Sequence, residues 1–448
     1  MDGNKRARRR RRRGVETLKS VLILLLSLSA VYLTMLALDY SRVNWAPIQA
    51  VLSLFRPEQE QASASGTLAP SGQAALSPIP VRMAVCDGVD RFASQYDTRQ
   101  TDQLFESLSI LLSEALSGAQ APEEVPEETW RQALQAPGVW FDFLGTLPLQ
   151  ALRTWMGAGG ASPIPEAHTA RQMAVALDSD GQVRLLYHNE SDGLYYACAT
   201  DVVWTGHMDA LVSGYGGNGF TFAFEQEEGS GYEALDPYVL LSPDPLQLPV
   251  YRMSDPLSGL DSATVSAIQQ ALLFQAQGYP VAGGIRIREG RETLELGTDG
   301  MAAYHSGEED ASRYPVGDGA DPLVLAEATW RLAADTVGRW CGEARLYLQG
   351  LETLEDGSVQ ISYGYSLNGA DVSLPGGVPA ASFTVRDGQI SDYSLCFRRY
   401  EQTGQTSLVM RERQAAAALE AMEAQGSELI LAYSAADGDL VQAGWTAR

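Results

Sequence analysis

The chain has 448 residues, more than one compact hydrophobic core usually serves, so we expect two or three domains. Hydrophobic residues make up 45% and charged residues 20%, a balance that excludes collagen-like, wholly disordered and multi-span membrane classes. The formal net charge is −24, which argues against nucleic acid as a main partner because a phosphate-binding surface must be basic.

The chain begins with a basic head and a long apolar run. Residues 1–19 carry nine Lys/Arg and two acidic residues, whereas residues 20–38 contain no charge, glycine or proline. A helix of 19 residues is about 28 Å long, enough to cross a membrane. The positive-inside rule predicts a cytoplasmic head at 1–19, one transmembrane helix at 20–38 and an extracytoplasmic body. A cleaved signal peptide is the alternative, which the long run and the lack of a small-residue cleavage site disfavour.

One face of the predicted membrane helix carries small side chains. Ser27, Ala30, Thr34 and Ala37 fill the two core positions of a heptad. Small residues let two membrane helices approach closely, and hydroxyl groups bond across the interface. We predict that these four residues form a transmembrane interaction face. The alternative is that Ser, Thr and Ala are simply common in membrane helices.

After the membrane helix, the sequence predicts a linker and then a folded domain. Residues 39–80 are predicted as a juxtamembrane segment and flexible linker, because 56–80 is rich in Pro, Ser, Ala, Gly and Gln. Hydrophobic periodicity predicts an N-terminal α+β ectodomain at 81–244. Its predicted helices are 101–117 and 127–135, and its predicted strands are 139–144, 172–178, 182–188 and 219–225.

A helix followed by an antiparallel meander recurs further along the chain. We predict a middle α+β module at 245–312 and a C-terminal α+β module at 322–448. Their predicted helices are 262–278, 322–341 and 408–424. Their predicted strands are 284–289, 292–296, 301–305, 344–353, 358–367, 381–386, 389–400, 428–433 and 439–446. This order is typical of an α+β fold and not of a doubly wound parallel sheet.

The sequence offers little that could carry chemistry. Its four histidines are too far apart for a zinc motif, and its four cysteines form no Cys-x-x-Cys pair. These residues are His168, His188, His207 and His305, with Cys86, Cys198, Cys341 and Cys396. The Gly-x-Gly-x-x-Gly pattern at 214–219 follows a predicted helix and precedes a strand, the reverse of what a dinucleotide site needs. We predict no catalytic, cofactor or metal site, and favour buried thiols, with disulfides as the open alternative.

Several segments of the predicted ectodomain resemble the YycH/YycI family. They are VWFDFLGTLP at 139–148, GIRIREG at 284–290, GTDGMAAY at 297–304, YGYSLNG at 363–369 and FTVRDGQI at 383–390. Together with the basic head and the membrane helix, the resemblance covers about residues 15–448. It is stronger to YycH, because a large first domain precedes the repeated modules. One departure is that no proline precedes Trp445 near the end of the chain.

The family consists of single-pass accessory proteins of the WalK (YycG) sensor histidine kinase in Gram-positive bacteria. The resemblance therefore implies a regulator anchored in the cell membrane that contacts the kinase through its membrane helix. It also implies an ectodomain that pairs with a YycI-like partner or with itself, and it assigns no catalytic residue. The alternatives are an anchored cell-envelope hydrolase or ligand-binding protein, and a surface adaptor built from PepSY-like modules.

Overall fold

The computed structural model describes residues 78–448, except for 159–161, 308–311, 318–320, 423–427 and 437. The predicted head, the predicted membrane helix and most of the predicted linker lie outside the described residues. Among the residues that are described, no helix combines the length and apolarity needed to cross a membrane. The described residues all belong to one compact unit.

The described residues contain eight α-helices. They are α1 (Thr98–Ser117), α2 (Glu127–Gln135), α3 (Leu149–Trp155), α4 (Gly206–Ser213), α5 (Ser262–Ala271), α6 (Pro322–Asp335), α7 (Val337–Trp340) and α8 (Glu412–Ala421). The prediction of a helix at 127–135 is confirmed residue for residue. Helix α1 begins three residues before its predicted start, because the Asp97 side chain accepts the N–H of Gln100 and caps the helix.

The first sheet has seven strands, all paired antiparallel. They are β1 (Arg82–Cys86), β2 (Arg91–Gln95), β3 (Glu123–Val125), β4 (Gly138–Pro148), β5 (Thr169–Leu177), β6 (Val183–Asn189) and β7 (Leu194–Ala199), in the spatial order β2-β1-β4-β5-β6-β7-β3. Alternate side chains of a strand point to opposite faces. Met83 and Val85 therefore pack in the same core as α1, whereas Ala84 packs in a second core with Trp130 of α2.

The second sheet has thirteen strands and is built from the other half of the chain. Its strands are β10 (Gln247–Ser254), β11 (Tyr279–Val281), β12 (Gly284–Glu289), β13 (Glu292–Gly297), β14 (Met301–His305), β15 (Arg345–Thr353), β16 (Val359–Leu367), β17 (Ala370–Val372), β18 (Ala381–Arg386), β19 (Gln389–Cys396), β20 (Arg399–Leu408), β21 (Leu429–Ala435) and β22 (Leu440–Ala447). A separate short ladder joins β8 (Thr221–Phe222) to β9 (Leu240–Leu241). Among the described strands, only β17 and β21 pair in parallel. The predicted α+β class is confirmed.

Main-chain pairing crosses the boundary predicted between the middle and C-terminal modules. Strand β14, from the predicted middle module, pairs with β19 over five positions from Met301–Cys396 to His305–Asp392. One buried hydrophobic cluster also extends through both large sheets. The division into separate modules at 245–312 and 322–448 stays a prediction.

Two predicted elements differ from the structure because side chains bond to the backbone. The strand predicted at 219–225 stops at Phe222, since the Glu225 carboxylate accepts the Phe222 N–H at 2.8 Å and closes a 3-10 turn. The helix predicted at 322–341 breaks at Thr336, whose φ of −112° and ψ of −102° lie outside the helical range. The Thr336 hydroxyl bonds back to the Leu332 carbonyl, which competes with the backbone hydrogen bonds of the helix.

The helix predicted at 408–424 and the strand predicted at 389–400 also have different bounds. Strand pairing extends to Leu408, which lies opposite Gln247, so the helix starts only at Glu412. The predicted strand is divided into β19 and β20 by residues 397–398. Periodicity alone does not mark either boundary, because apolar residues continue across both.

The two large sheets meet where β4 bulges toward β15. The pairing of β4 with β5 shifts register between Asp142 and Leu147, and Leu144 in this bulge has a φ of 65°. Gly145 lies so close to β15 that an added Cβ would stand 1.8 Å from the Leu348 carbonyl oxygen. Only a glycine permits that approach without a shift of the backbone.

Replacing Gly145 by alanine should therefore destabilise the protein. The added methyl group must push β4 from β15, and overpacking of this kind costs about 1–3 kcal/mol or more. The matched control is Gly350→Ala in β15, where an added Cβ meets nothing within 4 Å. Thermal unfolding of the full chain should show a lower midpoint for the first variant and little change for the second. Equal midpoints would contradict the close approach.

Candidate functional site

The predicted transmembrane interaction face lies outside the described residues. Ser27, Ala30, Thr34 and Ala37 all precede Pro78, where the described chain begins. Their role therefore stays a prediction. The described residues instead bring together a different set of polar and aromatic groups at the junction between the two large sheets, here called the seam.

A buried cluster of four charges lies at the seam. Arg82 of β1, Asp142 of β4 and Arg171 of β5 belong to the first sheet, and Glu428 precedes β21 of the second. Asp142 Oδ2 lies 2.7 Å from Arg82 and 2.8 Å from Arg171. Glu428 Oε1 lies 2.8 Å from Arg82, and its Oε2 lies 2.9 Å from Arg171. Each arginine thus contacts both carboxylates, and the cluster is electrically balanced.

Burial and pairing act in opposite directions on this cluster. Asp142 is fully buried, which would raise the pKa of its carboxyl group, but Arg171 and Arg82 hold that pKa below its ordinary value. Burial would likewise lower the pKa of Arg82, yet Asp142 and Glu428 raise it above its ordinary value. Gln172 adds a hydrogen bond to Asp142 Oδ2 at 3.3 Å. Pairing therefore favours the charged forms of Asp142, Arg82 and Arg171 despite their burial.

Further contacts hold the seam on either side of the charge cluster. The Tyr96 hydroxyl, at the end of β2, accepts the N–H of Leu431 in β21 at 3.0 Å. The Tyr96 ring also packs edge-on against Trp445, with centroids 6.4 Å apart. Arg448 donates to the Leu144 carbonyl at 2.8 Å. The end of the chain is thus joined to the first sheet by side-chain contacts.

A cleft of about 920 Å³ opens beside these contacts. One wall is the first half of α1, and the other is the start of β15 with the residues before it. Aromatic side chains contribute to its lining: Phe143, Trp155, Tyr251, Trp330 and Tyr347. Polar side chains include Gln103, Glu106, Glu343, Asn368 and Gln402. Its size is in the range of roughly 300–1,000 Å³ typical of ligand pockets, which often lie where two structural units meet.

An ion pair bridges the two walls of the cleft. Asp102 of α1 accepts two hydrogen bonds from Arg345 of β15, at 2.9 and 2.7 Å. On the β15 side, Glu343 accepts the N–H of Gln402 at 3.0 Å. Asp102 and Arg345 thus neutralise each other, whereas Glu343 is satisfied by a backbone N–H. The cleft therefore combines aromatic surface with charges that are partly neutralised.

A buried carboxyl group lies where α8 packs against the first half of the chain. Glu412 is 8% exposed, and its Oε2 accepts the Ser242 N–H at 2.8 Å. Its Oε1 is buried and has no hydrogen-bond partner among the described residues. Burial raises the pKa of Glu412 from 4.5 to about 7, although the Ser242 N–H opposes the rise. This group changes its protonation state near neutral pH.

The histidines and cysteines of the described residues form no cluster that could carry metal chemistry. Among the described residues, no cluster of three or more His, Cys, Asp or Glu side chains is arranged to hold a metal ion. All four cysteines are buried, and no disulfide joins any of them in the described part of the chain. The glycine-rich loop at 214–219 follows α4 and precedes β8, so its predicted context is confirmed. Its Asn218 exchanges hydrogen bonds with the Ala93 backbone at 2.9 and 2.8 Å and thereby caps the edge of β2.

Sequence reasoning missed the charge cluster, the cleft and Glu412. One signal was present for the cluster, since Asp142 interrupts the apolar strand sequence VWFDFL, and a buried carboxylate needs a cationic partner. Nothing in the sequence indicates that the arginines that pair with Asp142 also pair with Glu428, which is 286 positions further along the chain. The burial of Glu412 was hidden because the first turn of an amphipathic helix often carries an exposed acidic residue.

Comparison with known proteins identifies a similar fold. No protein-family profile and no curated protein sequence matches this chain. The crystal structure of YycH from Bacillus subtilis matches 85% of this chain and 96% of that chain, with a TM-score of 0.54 and 12% sequence identity. An uncharacterized protein from Eubacterium rectale ATCC 33656 covers 44% of this chain and 76% of that chain, with a TM-score of 0.28 and 8% identity. The chain has a YycH-like fold.

Breaking the charge cluster should destabilise the protein strongly. Asp142→Asn removes the carboxylate shared by Arg82 and Arg171, and an uncompensated buried charge costs about 3–5 kcal/mol. Asp439→Asn is the matched control, because Asp439 pairs with Arg252 at the surface, where an ion pair contributes about 0–1 kcal/mol. Urea unfolding of the full chain should separate the two variants. A similar loss in both would show that burial does not matter here.

Stability should fall as pH rises from 4.5 to above 7, in part through Glu412. The unfolded carboxyl group releases its proton near its ordinary pKa of 4.5, whereas burial holds the proton in the folded state up to a pKa of about 7. Each unit of upward shift costs about 1.4 kcal/mol above the folded pKa, so this residue should weaken folding by about 2–4 kcal/mol at pH 8.

Glu412→Gln keeps an acceptor for Ser242 and removes the titration. It should flatten this part of the profile of unfolding free energy against pH, and it should be more stable than the unmodified chain at pH 8. Glu420→Gln, an exposed position on the same helix, is the control and should leave the profile unchanged. Parallel profiles for Glu412→Gln and the unmodified chain would contradict the assignment.

Proposed function

We propose that this chain is a membrane-anchored, extracytoplasmic regulator of a sensor histidine kinase of the WalK (YycG) type. The observation that carries the proposal is its likeness in fold to YycH, which extends over 85% of this chain and 96% of that chain. Similar folds can serve different functions, so the sequence features that accompany the fold are needed to support the proposal.

The sequence supports the proposed anchor and its orientation. A basic head at 1–19 precedes the uncharged run at 20–38, which favours an N-terminus in the cytoplasm and a body outside the membrane. The small side chains of Ser27, Ala30, Thr34 and Ala37 provide a face for contact with a kinase helix. The ectodomain would pair with a YycI-like partner or with a second copy of itself. No nucleic acid and no cofactor enter this proposal.

A second candidate function is supported by the cleft at the seam. A cleft of about 920 Å³ with aromatic and polar walls suits an anchored cell-envelope protein that binds a ligand or hydrolyses a substrate. The two proposals predict different behaviour in one experiment. A regulator that acts by helix contact should depend on the membrane face, whereas a ligand-binding or hydrolytic protein should depend on the cleft.

Replacing Ala30 and Ala37 together by Phe should abolish association with the kinase. Each hydroxyl bond in a membrane contributes about 0.6 kcal/mol, so the face acts collectively and steric bulk should separate the helices. Leu25→Ile with Leu36→Ile is the matched control, because these residues lie on other sides of the helix. A membrane two-hybrid assay of the full chain against the cognate kinase, at matched expression, measures the effect. Unchanged binding and regulation by the Phe variant would rule out this interface.

A further inference from the structure

The described chain begins in the wall of the cleft. Pro78 and Pro80 are buried, Ile79 is 38% exposed, and all three line the cleft. Val81 then donates its N–H to the Asp142 carbonyl at 2.8 Å, and β1 begins with Arg82 of the charge cluster. The polypeptide therefore enters the folded body through the cleft and reaches the buried charges within a few residues.

Residues 78–80, which line the cleft, indicate the kind of peptide segment that the rest of the cleft can bind. Pro78-Ile79-Pro80 lines the same cleft as the aromatic side chains of Trp155, Trp330 and Tyr347. Aromatic-lined grooves bind extended proline-containing segments, because proline loses little conformational entropy and its ring packs on aromatic faces. Gln103, Asn368 and Gln402 add side-chain amides that can bond to an extended backbone.

The sequence immediately before Pro78 has a suitable composition. Residues 69–77 read APSGQAALS and carry no charge, one proline and the apolar side chain of Leu76. An uncharged segment avoids the desolvation cost of a charged one and is not repelled by an acidic body. Because it is covalently attached at the edge of the cleft, its effective concentration there exceeds that of a free ligand.

We propose that the cleft is the docking site of the chain's own linker, residues 69–77. The segment continues the path of Pro78–Val81 along the aromatic wall, between α1 of the first sheet and β15 of the second. It bridges both sides of the seam. Docking also shortens the undocked part of the linker between the predicted membrane helix and Arg82. The shortening of the linker to a membrane helix rests on the proposed function, whereas the contact of residues 69–77 with the cleft does not.

Photo-crosslinking of the full chain tests the contact directly. A benzophenone amino acid replaces Gln103, which is exposed and lines the cleft, and in the control it replaces Ile110. Ile110 is on the same helix and 58% exposed, and it lies outside the cleft lining. Irradiation of the Gln103 variant should give an intrachain crosslink that fragment-ion mass spectrometry places in residues 69–77. The Ile110 variant should not give this product.

Leu76→Asp should lower the yield of this crosslink about tenfold, since an unpaired carboxylate is costly against an aromatic wall. Ser63→Asp adds the same charge to the linker outside the docking segment and should leave the yield unchanged. Crosslinks from Gln103 to a second copy, to another polypeptide or to a small molecule would overturn the proposal. Absence of a product in 69–77, or an unchanged yield with Leu76→Asp, would also overturn it. The two-hybrid assay tests only the proposed function, so its outcome does not change the interpretation of the crosslink between Gln103 and residues 69–77.

Discussion

The buried cluster of Arg82, Asp142, Arg171 and Glu428 is the constraint on which the seam depends. Moving four charges out of water is costly, and mutual attraction offsets that cost only when each charge is well paired. Here each arginine reaches both carboxylates within 3 Å. The arrangement fixes the start of β21 against three neighbouring strands of the first sheet. A displacement of either sheet would leave charges buried without partners, so the cluster selects one relative position.

Two buried acidic residues show how the surroundings decide the chemistry of the same functional group. Asp142 is fully buried, yet two arginines hold the pKa of its carboxyl group below the ordinary value. Glu412 is buried without an arginine, and its pKa rises to about 7. Asp142 thus holds Arg82 and Arg171 together within the first sheet, and both arginines also reach Glu428 across the seam. Glu412 makes the packing of α8 against Ser242 depend on pH.

Local sequence patterns predicted most of the elements but not the way in which they are joined. Alternation and helical periodicity placed the helix at 127–135 and the strands at 284–289 and 301–305 with the observed bounds. The same patterns missed several strands, among them β1, β2, β7 and β10. The seam escaped prediction because its contacts join residues far apart in sequence, such as Arg82 with Glu428. Such contacts are set by tertiary packing, which periodicity does not record.

This chain and YycH share a fold at 12% sequence identity. Proteins with the same fold can differ in the residues that form their interaction sites. Under the proposed function, the residues that would transmit a signal must therefore be argued from this chain alone. The path runs from the predicted membrane helix through the linker to Pro78, then to Val81 and Arg82. Arg82 contacts Glu428, which directly precedes β21 of the second sheet. Val81, the residue before Arg82, lines the cleft. In the proposed regulator, a movement of the predicted membrane helix would thus act first on β1, which carries Arg82 of the buried cluster, and displacing a buried charge from its partners is costly.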